Sequence, residues 1–278
     1  MQRSTFIICF LLGLLAIPFG AGGQSYNVVE TIGDHDGGIT VMTTDPAKKL
    51  LIAGDEKGKL YLYDLASSAL IQKVDAHAAP VAQLRFNSNS ELLISATNDG
   101  EIKIFDFAKN KIIQSVYSPE YTGINFVLFS IADGFIYFNG HNKLFKTRSD
   151  LSQKVNEIFV ESNDLYDAVI TSDRSSLIYT TGNMIKVLNT RTDNFRQEIK
   201  FGTSNIEKIA LVKDTLLATW SSDGTLAMWN YQFNQLAAQP IFFMKAGNPS
   251  TMTFSESGHL MCSGNIGNWA RVWVPLEK

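Results

Sequence analysis

The sequence predicts an all-β fold made of six consecutive four-stranded antiparallel sheets, and an internal repeat is the main reason. Short segments of alternating apolar character end at Asp64, Asp106, Lys146, Asn189, Asn230 and Val274. The steps between these positions are 42, 40, 43, 41 and 44 residues. Four short strand patterns with turn residues between them fit into each step, which indicates one antiparallel sheet per repeat.

The second repeat shows the order of elements most clearly. It starts at His77 and has its four strand patterns at 81–86, 92–95, 101–106 and 112–116. The turns between them contain Asn, Ser, Asp, Gly and Lys, including the tripeptide Asn98-Asp99-Gly100. These residues favour tight turns, so each repeat is predicted to form one twisted sheet.

This pattern resembles the WD-repeat family, whose repeats of about 40 to 45 residues begin with GH and end with WD. The good matches are Asn98-Asp99-Gly100 with Phe105-Asp106, and the turn 221–225 with Trp229-Asn230. The resemblance covers residues 24–278 and implies a six-bladed β-propeller. It also implies a rigid platform that binds other proteins.

In that family a His, a Ser or Thr, an Asp and a Trp form a buried hydrogen-bonded set in each blade. The second repeat offers His77, Thr97 and Asp99 but has Phe105 in place of Trp. The fifth repeat offers Ser221, Asp223 and Trp229 but has Gly202 at the His position. No repeat has the complete set, so apolar packing between blades is expected to provide most of the stability.

Residues 1–23 differ from the rest of the chain. Arg3 is their only charge, a run of fourteen apolar residues extends from Phe6 to Phe19, and small residues follow at 20–23. This composition predicts a signal peptide cleaved before Gln24, and no membrane span in the mature chain. The protein is therefore expected to be exported, to the periplasm, the cell surface or the medium.

Tyr26–Ile32 precedes His35 as Ile71–Val74 precedes His77, which is the pattern of an outermost strand with no sheet before it. The chain also ends directly after the third strand of its last repeat. We therefore expect the N-terminal strand to complete the C-terminal blade and close the ring, which would protect the sheet edges. A seventh blade from a partner chain is left open.

The mature chain has a net charge of −4, from 23 Lys and Arg against 27 Asp and Glu, and shows no basic stripe for nucleic acid. Cys262 is its only cysteine, so an internal disulfide is impossible. No G-x-S-x-G elbow, zinc-ligand spacing or calcium loop is present. The sequence thus predicts no catalytic residues, no cofactor and no metal.

The repeat assigns the loops to two faces, and the face with the inter-sheet loops is predicted to be acidic. The predicted partner-binding residues on this face are Asp34, Asp36, Asp75, Glu120, Tyr121, Asp164, Tyr166, Asp167 and Trp269. The carboxylates would meet a basic or amide-rich partner segment, and the three aromatic residues would anchor it. The preference of Asp for tight turns is the simpler explanation of the same cluster.

The function predicted from these observations is an exported, non-catalytic scaffold that binds protein partners in an envelope or secreted complex. Two alternatives are left open. One is a propeller enzyme, such as a lactonase or glycosidase, with its site at the channel mouth. The other is a carbohydrate-binding module, which would need exposed coplanar aromatic rings. Carboxylates that converge on the channel mouth, or a bound divalent ion, would favour the enzyme. An apolar or amide-lined channel with an exposed aromatic patch would favour the scaffold.

Overall fold

A computed structural model shows that the regular elements of the described residues are antiparallel β-strands, apart from one short 3-10 helix. The structure describes residue 33 and residues 35–47, 49–130, 134–151, 155–212, 215–232, 235–245, 251–254, 260–264 and 269–273. The predicted signal peptide, the predicted N-terminal strand Tyr26–Ile32 and Asp34 lie outside the described residues.

The first three sheets have four strands each, as the repeat predicts. The first contains β1 (Ile39–Thr44), β2 (Leu50–Asp55), β3 (Lys59–Asp64) and β4 (Leu70–Asp75). The second contains β5 (Val81–Phe86), β6 (Leu92–Thr97), β7 (Glu101–Asp106) and β8 (Lys111–Tyr117). The third contains β9 (Val127–Ser130), β10 (Phe135–Gly140), β11 (Lys143–Arg148) and β12 (Asn156–Val160), and a short 3-10 helix, Pro119–Tyr121, precedes it.

The last three sheets continue the series with some variation. The fourth contains β13 (Leu165–Ile170), β14 (Ser176–Thr181), β15 (Met184–Asn189) and β16 (Phe195–Lys200). The fifth contains β17 (Ile206–Val212), β18 (Leu216–Ser221), β19 (Thr225–Gln232), β20 (Gln235–Leu236) and β21 (Phe242–Lys245). The sixth contains three described strands, β22 (Thr251–Phe254), β23 (Leu260–Gly264) and β24 (Trp269–Trp273).

The first strands of successive sheets are neighbours, because β1 contacts β5, β5 contacts β9, β9 contacts β13, β13 contacts β17 and β17 contacts β22. The fourth strands of the first four sheets lie at the outside, and β4 is their most exposed example. Sheets arranged in this way around a common channel form a β-propeller. The prediction of an all-β propeller with four-stranded antiparallel sheets is thus confirmed.

The core lies between neighbouring sheets. Ile52 and Leu60 of the first sheet form one buried cluster with Val81, Leu93 and Phe105 of the second. Three further clusters join the second sheet to the third, the third to the fourth and the fourth to the fifth. The middle strands are buried on both faces, and each fully buried large apolar side chain contributes about 1.5–3 kcal/mol to stability.

Buried polar contacts supplement this core, and they differ from the sets predicted for the second and fifth sheets. The His77 ring contacts Ser95 Oγ at 2.8 Å and Glu101 Oε2 at 2.7 Å, so its hydroxyl partner is Ser95 and not Thr97. Trp229 Nε1 donates to Thr219 Oγ1 at 2.9 Å, and Ser221 is not its acceptor. In both sheets the true partner precedes the predicted one by two residues, on the same side of the strand.

The fourth sheet has a buried ion pair of its own. Lys186 Nζ lies 2.7 Å from Glu161 Oε2, and the two side chains are only 10% and 9% exposed. Tyr179 donates its hydroxyl hydrogen to Glu161 Oε1 at 2.5 Å. The carboxylate therefore has two charge-assisted partners where the family's sets would have a histidine.

Strand β20 is an addition that the repeat did not predict. It pairs antiparallel with the last two residues of β19, Tyr231 and Gln232, and lies against the outer strand of the fourth sheet. The Gln197 amide donates to the carbonyl of Leu236 at 2.7 Å and accepts the Leu236 N–H at 2.8 Å. One side chain thereby reproduces the two hydrogen bonds of a β-bridge and joins the fifth sheet to the rim of the fourth.

Candidate partner-binding face

The loops of this propeller emerge at two ends. We call the end with the inter-sheet loops and the second-to-third strand turns the upper face, and the opposite end the lower face. The upper face is the acidic face predicted from the sequence. The structure places Asp36, Asp75, Glu120 and Asp164 there, at the starts or ends of strands or in the connecting loops.

Asp36 is held in a small ion-pair network. Its carboxylate lies 2.8 Å from Lys59 Nζ and 2.8 Å from Lys73 Nζ, and Lys59 Nζ also lies 3.0 Å from Asp75 Oδ1. Hydrogen bonds from Lys59 and Lys73 lower the pKa of Asp36 to about 2. Both lysines lie in strands, so the prediction from the loop residues did not include them. This part of the upper face is therefore less acidic than predicted.

Three carboxylates remain well exposed. Asp75 is 84% exposed, Glu120 is 65% exposed and Asp164 is 54% exposed. Asp75 has Lys59 as a close partner, whereas Lys143 Nζ is 4.0 Å from Glu120 and the His141 ring is 3.9 Å from Asp164. Exposed pairs of this kind contribute little to stability, so these groups are available to a partner.

Two of the three predicted aromatic anchors, Tyr121 and Tyr166, make side-chain contacts within the molecule. The Tyr121 ring packs edge-on against Phe138 and Phe145, with centroid distances of 5.1 and 4.9 Å, and belongs to the border of the core. Tyr166 lies in β13, where its hydroxyl oxygen accepts a hydrogen bond from Asn205 Nδ2 at 2.7 Å. Trp269 begins β24 opposite Gly264.

Asp167 requires a correction, because it lies inside strand β13 and not in a loop of the upper face. Its carboxylate accepts the N–H of Ile209 at 3.0 Å and that of Ala168 at 2.9 Å, and so joins two inner strands. Burial raises the pKa of this carboxyl, although Lys208 and the two N–H groups oppose the effect. Asp167 is therefore a structural residue of the channel wall.

A cavity of about 290 Å³ opens at the upper end of the channel. The inner strands or loops of the first three sheets line it, with Thr40, Gln83, Asn98, Ile124 and Asn125 among the lining residues. Asn125 is fixed by a hydrogen bond from its Nδ2 to the carbonyl of Leu165 at 2.7 Å. Among the described residues that line this cavity, the polar side chains are amides and a hydroxyl.

In the described part of the chain, no group of three or more His, Cys, Asp and Glu side chains is placed to hold a metal ion. Nor does any described helix have the length and apolar character needed to cross a membrane.

Residues 46–130 match the family model of the anaphase-promoting complex subunit 4 WD40 domain. The solved structures most relevant to the fold include the Cps50 (Swd1) β-propeller domain of Myceliophteria thermophila. It is 13% identical with a TM-score of 0.75, over 86% of this chain and 84% of that one. No curated protein sequence matches significantly.

Two other solved structures have the same fold. A chain of the mitotic checkpoint complex is 16% identical with a TM-score of 0.76, over 89% of this chain and 77% of that one. The computationally designed protein Ika8 is 16% identical with a TM-score of 0.71, over 87% of this chain and 73% of that one. The chain thus has the β-propeller fold of these structures, and residues 46–130 resemble a WD40 domain.

Proposed function

We propose that this protein is an exported, non-catalytic scaffold whose upper face binds a basic or amide-rich segment of a protein partner. The observation that carries the proposal is the amide-lined upper cavity beside exposed carboxylates. Glu120 belongs to the loop that continues to Ile124 and Asn125, and Asn98 directly precedes Asp99. The positive charges of a partner would therefore meet the carboxylates, and its amides would meet the amides of the cavity close by.

The chemistry of this face suits a peptide segment. Side-chain amides both donate and accept hydrogen bonds, as the backbone of a bound peptide requires. Outlying carboxylates attract Lys and Arg and accelerate association. The mitotic checkpoint complex is by its name an assembly of several components. A chain with this fold in such an assembly supports our proposal that the partner is a protein.

We also propose that the propeller is six-bladed and that the N-terminal strand closes it. In support, the sixth sheet has three described strands, and β24 pairs among them with β23 alone. Tyr26–Ile32 has the sequence pattern of the missing outer strand. A closed ring would leave no unpaired edge at β24.

Export is a further part of the proposal and depends on the composition of residues 1–23. The expected mature chain begins at Gln24 and acts in the periplasm, at the cell surface or in the medium. The intact mass of the protein isolated from its native host tests this directly. A mass that includes residues 1–23 would refute export by a cleaved leader.

The partner is tested by affinity purification of the tagged protein from its native host, with mass spectrometry of the co-purifying chains. We expect Asp75→Lys, Glu120→Lys and Asp164→Lys each to weaken capture severalfold and to reduce its dependence on salt, because each removes an attractive charge. Glu91→Lys is the matched control, since Glu91 is an exposed acid at a turn of the lower face. Equal capture by all four variants would refute the upper face as the binding surface.

A further inference from the structure

The outer edge of the second sheet differs from the other described edges. Strand β8 has seven residues and is the longest outer strand in the described part of the chain. Its residues from Ile112 to Tyr117 carry no charge. By contrast, charged residues occur within β4, β12 and β16, and β20 also lies against β16. Charges and covering segments keep sheet edges from pairing with another chain, so β8 lacks this protection over most of its length.

Two residues of β8 direct their backbone hydrogen-bonding groups away from the sheet. The N–H of Ser118 donates inward, to the carbonyl of Gly100 at 3.3 Å. Because these groups alternate in direction along an antiparallel strand, Tyr117 and Ser115 present theirs to the outside. Both residues are exposed, Tyr117 to 61%. No described strand pairs with β8 on that side, so the edge offers a template for a further strand.

The charges at the two ends of β8 are opposite. Lys111 begins the strand and is exposed. Glu120 follows the end of the strand and is 65% exposed. When two identical strands pair antiparallel, the start of each lies beside the end of the other. A second copy of this chain therefore brings a positive charge to the acidic end and a negative charge to the basic end.

We propose that β8 pairs antiparallel with β8 of a second copy of this chain and joins two propellers through a continuous sheet. Val116 lies at the two-fold axis. Ser115 of each copy then exchanges backbone hydrogen bonds with Tyr117 of the other, so the two outward residues satisfy each other. This register also brings Lys111 of each copy near Glu120 of the other. The interface lies on the rim and does not depend on the function proposed for the upper face.

The first test is the mass of the purified protein in solution, measured by sedimentation velocity over a concentration series. We expect the wild type to form a concentration-dependent dimer. Ser115→Pro should raise the dimer Kd about tenfold or more, because proline has no N–H to donate across the axis. Ser115→Ala is the matched control, since it keeps the N–H and should dimerise as the wild type does. Urea denaturation of Ser115→Pro checks that the propeller is intact.

An exchange of charges tests the orientation of the two strands, and it also serves if Ser115→Pro does not fold. Lys111→Glu alone and Glu120→Lys alone should each weaken dimerisation severalfold at low salt, because like charges then meet at both ends. An equimolar mixture of the two variants should recover the wild-type affinity, because the mixed dimer has opposite charges at both ends. Arg191→Glu changes an exposed charge outside β8 and should dimerise as the wild type does.

Three results would overturn the proposal. The first is a wild-type protein that stays monomeric up to about 1 mM. The second is a dimer that Ser115→Pro leaves as tight as before. The third is a mixture of Lys111→Glu and Glu120→Lys that dimerises no better than either variant alone. If the wild type is monomeric but Ser115→Pro weakens its capture of a co-purifying protein, the edge binds a foreign strand instead of a second copy.

Discussion

At the scale of single residues, Gly100 shows how closely a turn of one sheet approaches the loop that leaves it. Gly100 has a φ of +99°, and a Cβ built on it would lie 2.2 Å from the carbonyl oxygen of Ser118. Only glycine fits, because the conformation is unfavourable for other residues and the obstacle is backbone.

We expect Gly100→Ala to reduce the free energy of unfolding by about 2 kcal/mol or more, measured by urea denaturation. Gly202→Ala is the control, since Gly202 has a φ of +65° and nothing within 4 Å of a built Cβ. The free energy of unfolding of Gly202→Ala should fall by only about 1 kcal/mol, which is the cost of the unfavourable φ. Equal losses in the two variants would show that the contact with Ser118 is unimportant.

Single residues are also where sequence reasoning was weakest. Ser95 and Thr97 lie on the same side of one strand, and the choice between them depends on where the preceding loop carries His77. Asp167 was assigned to a loop, but a register shift between Leu165 and Ala168 places it in the channel wall. Such contacts join residues far apart in the chain, and spacing alone does not determine them.

At the scale of strands and sheets, the sequence was a good guide. The third strand of every sheet, namely β3, β7, β11, β15, β19 and β24, covers the segment that the repeat predicted or ends within two residues of it. Turn residues and alternation are local signals, and they are sufficient for these elements. Strand β20 was missed because its position depends on Gln197 in another sheet.

The buried Glu161–Lys186 pair gives a test at this scale. Lys186→Met should lower the free energy of unfolding by about 3 kcal/mol, because it leaves the buried carboxylate of Glu161 without its cation. Glu161→Gln should lower it by less, because Glu198 Oε1 still lies 3.6 Å from Lys186 Nζ. The double variant should be clearly more stable than the sum of the two losses predicts, as measured in a double-mutant cycle.

The exposed pair Arg148–Asp150 is the control, with side chains 46% and 56% exposed and atoms 3.7 Å apart. Its cycle should show a coupling below about 0.5 kcal/mol. A coupling between Glu161 and Lys186 as small as this would mean that the buried ion pair does not stabilise the fold.

At the scale of the whole molecule, the proposed closure has a direct test. A cysteine at Arg271, in the edge strand β24, should form disulfides with cysteines placed singly at 27 to 31, and every second position should react most strongly. The reason is that side chains alternate along a paired strand. Cys262→Ser removes the native thiol, and the yield is read from non-reducing gels.

A cysteine at Glu157, in the outer strand of the third sheet, is the control for this experiment. It should give little cross-linking with the same positions. Equal yields at Glu157 and Arg271 would contradict the closure.

The overall architecture was predictable because six similar units each carry their own local signals. The charge balance of the upper face was not, because strand lysines such as Lys73 reach its acids.

The bond between Gln197 and Leu236 makes the rim of this molecule uneven. Where β20 covers β16, the backbone of the fourth sheet's edge is already occupied, whereas β4, β8 and β12 are the outer members of their described sheets. An extended chain could add itself to the rim as a further strand at β4, β8 or β12, and it is hindered at β16. The sheets are therefore not equivalent at their outer edges, and an assembly built on the rim would inherit that order.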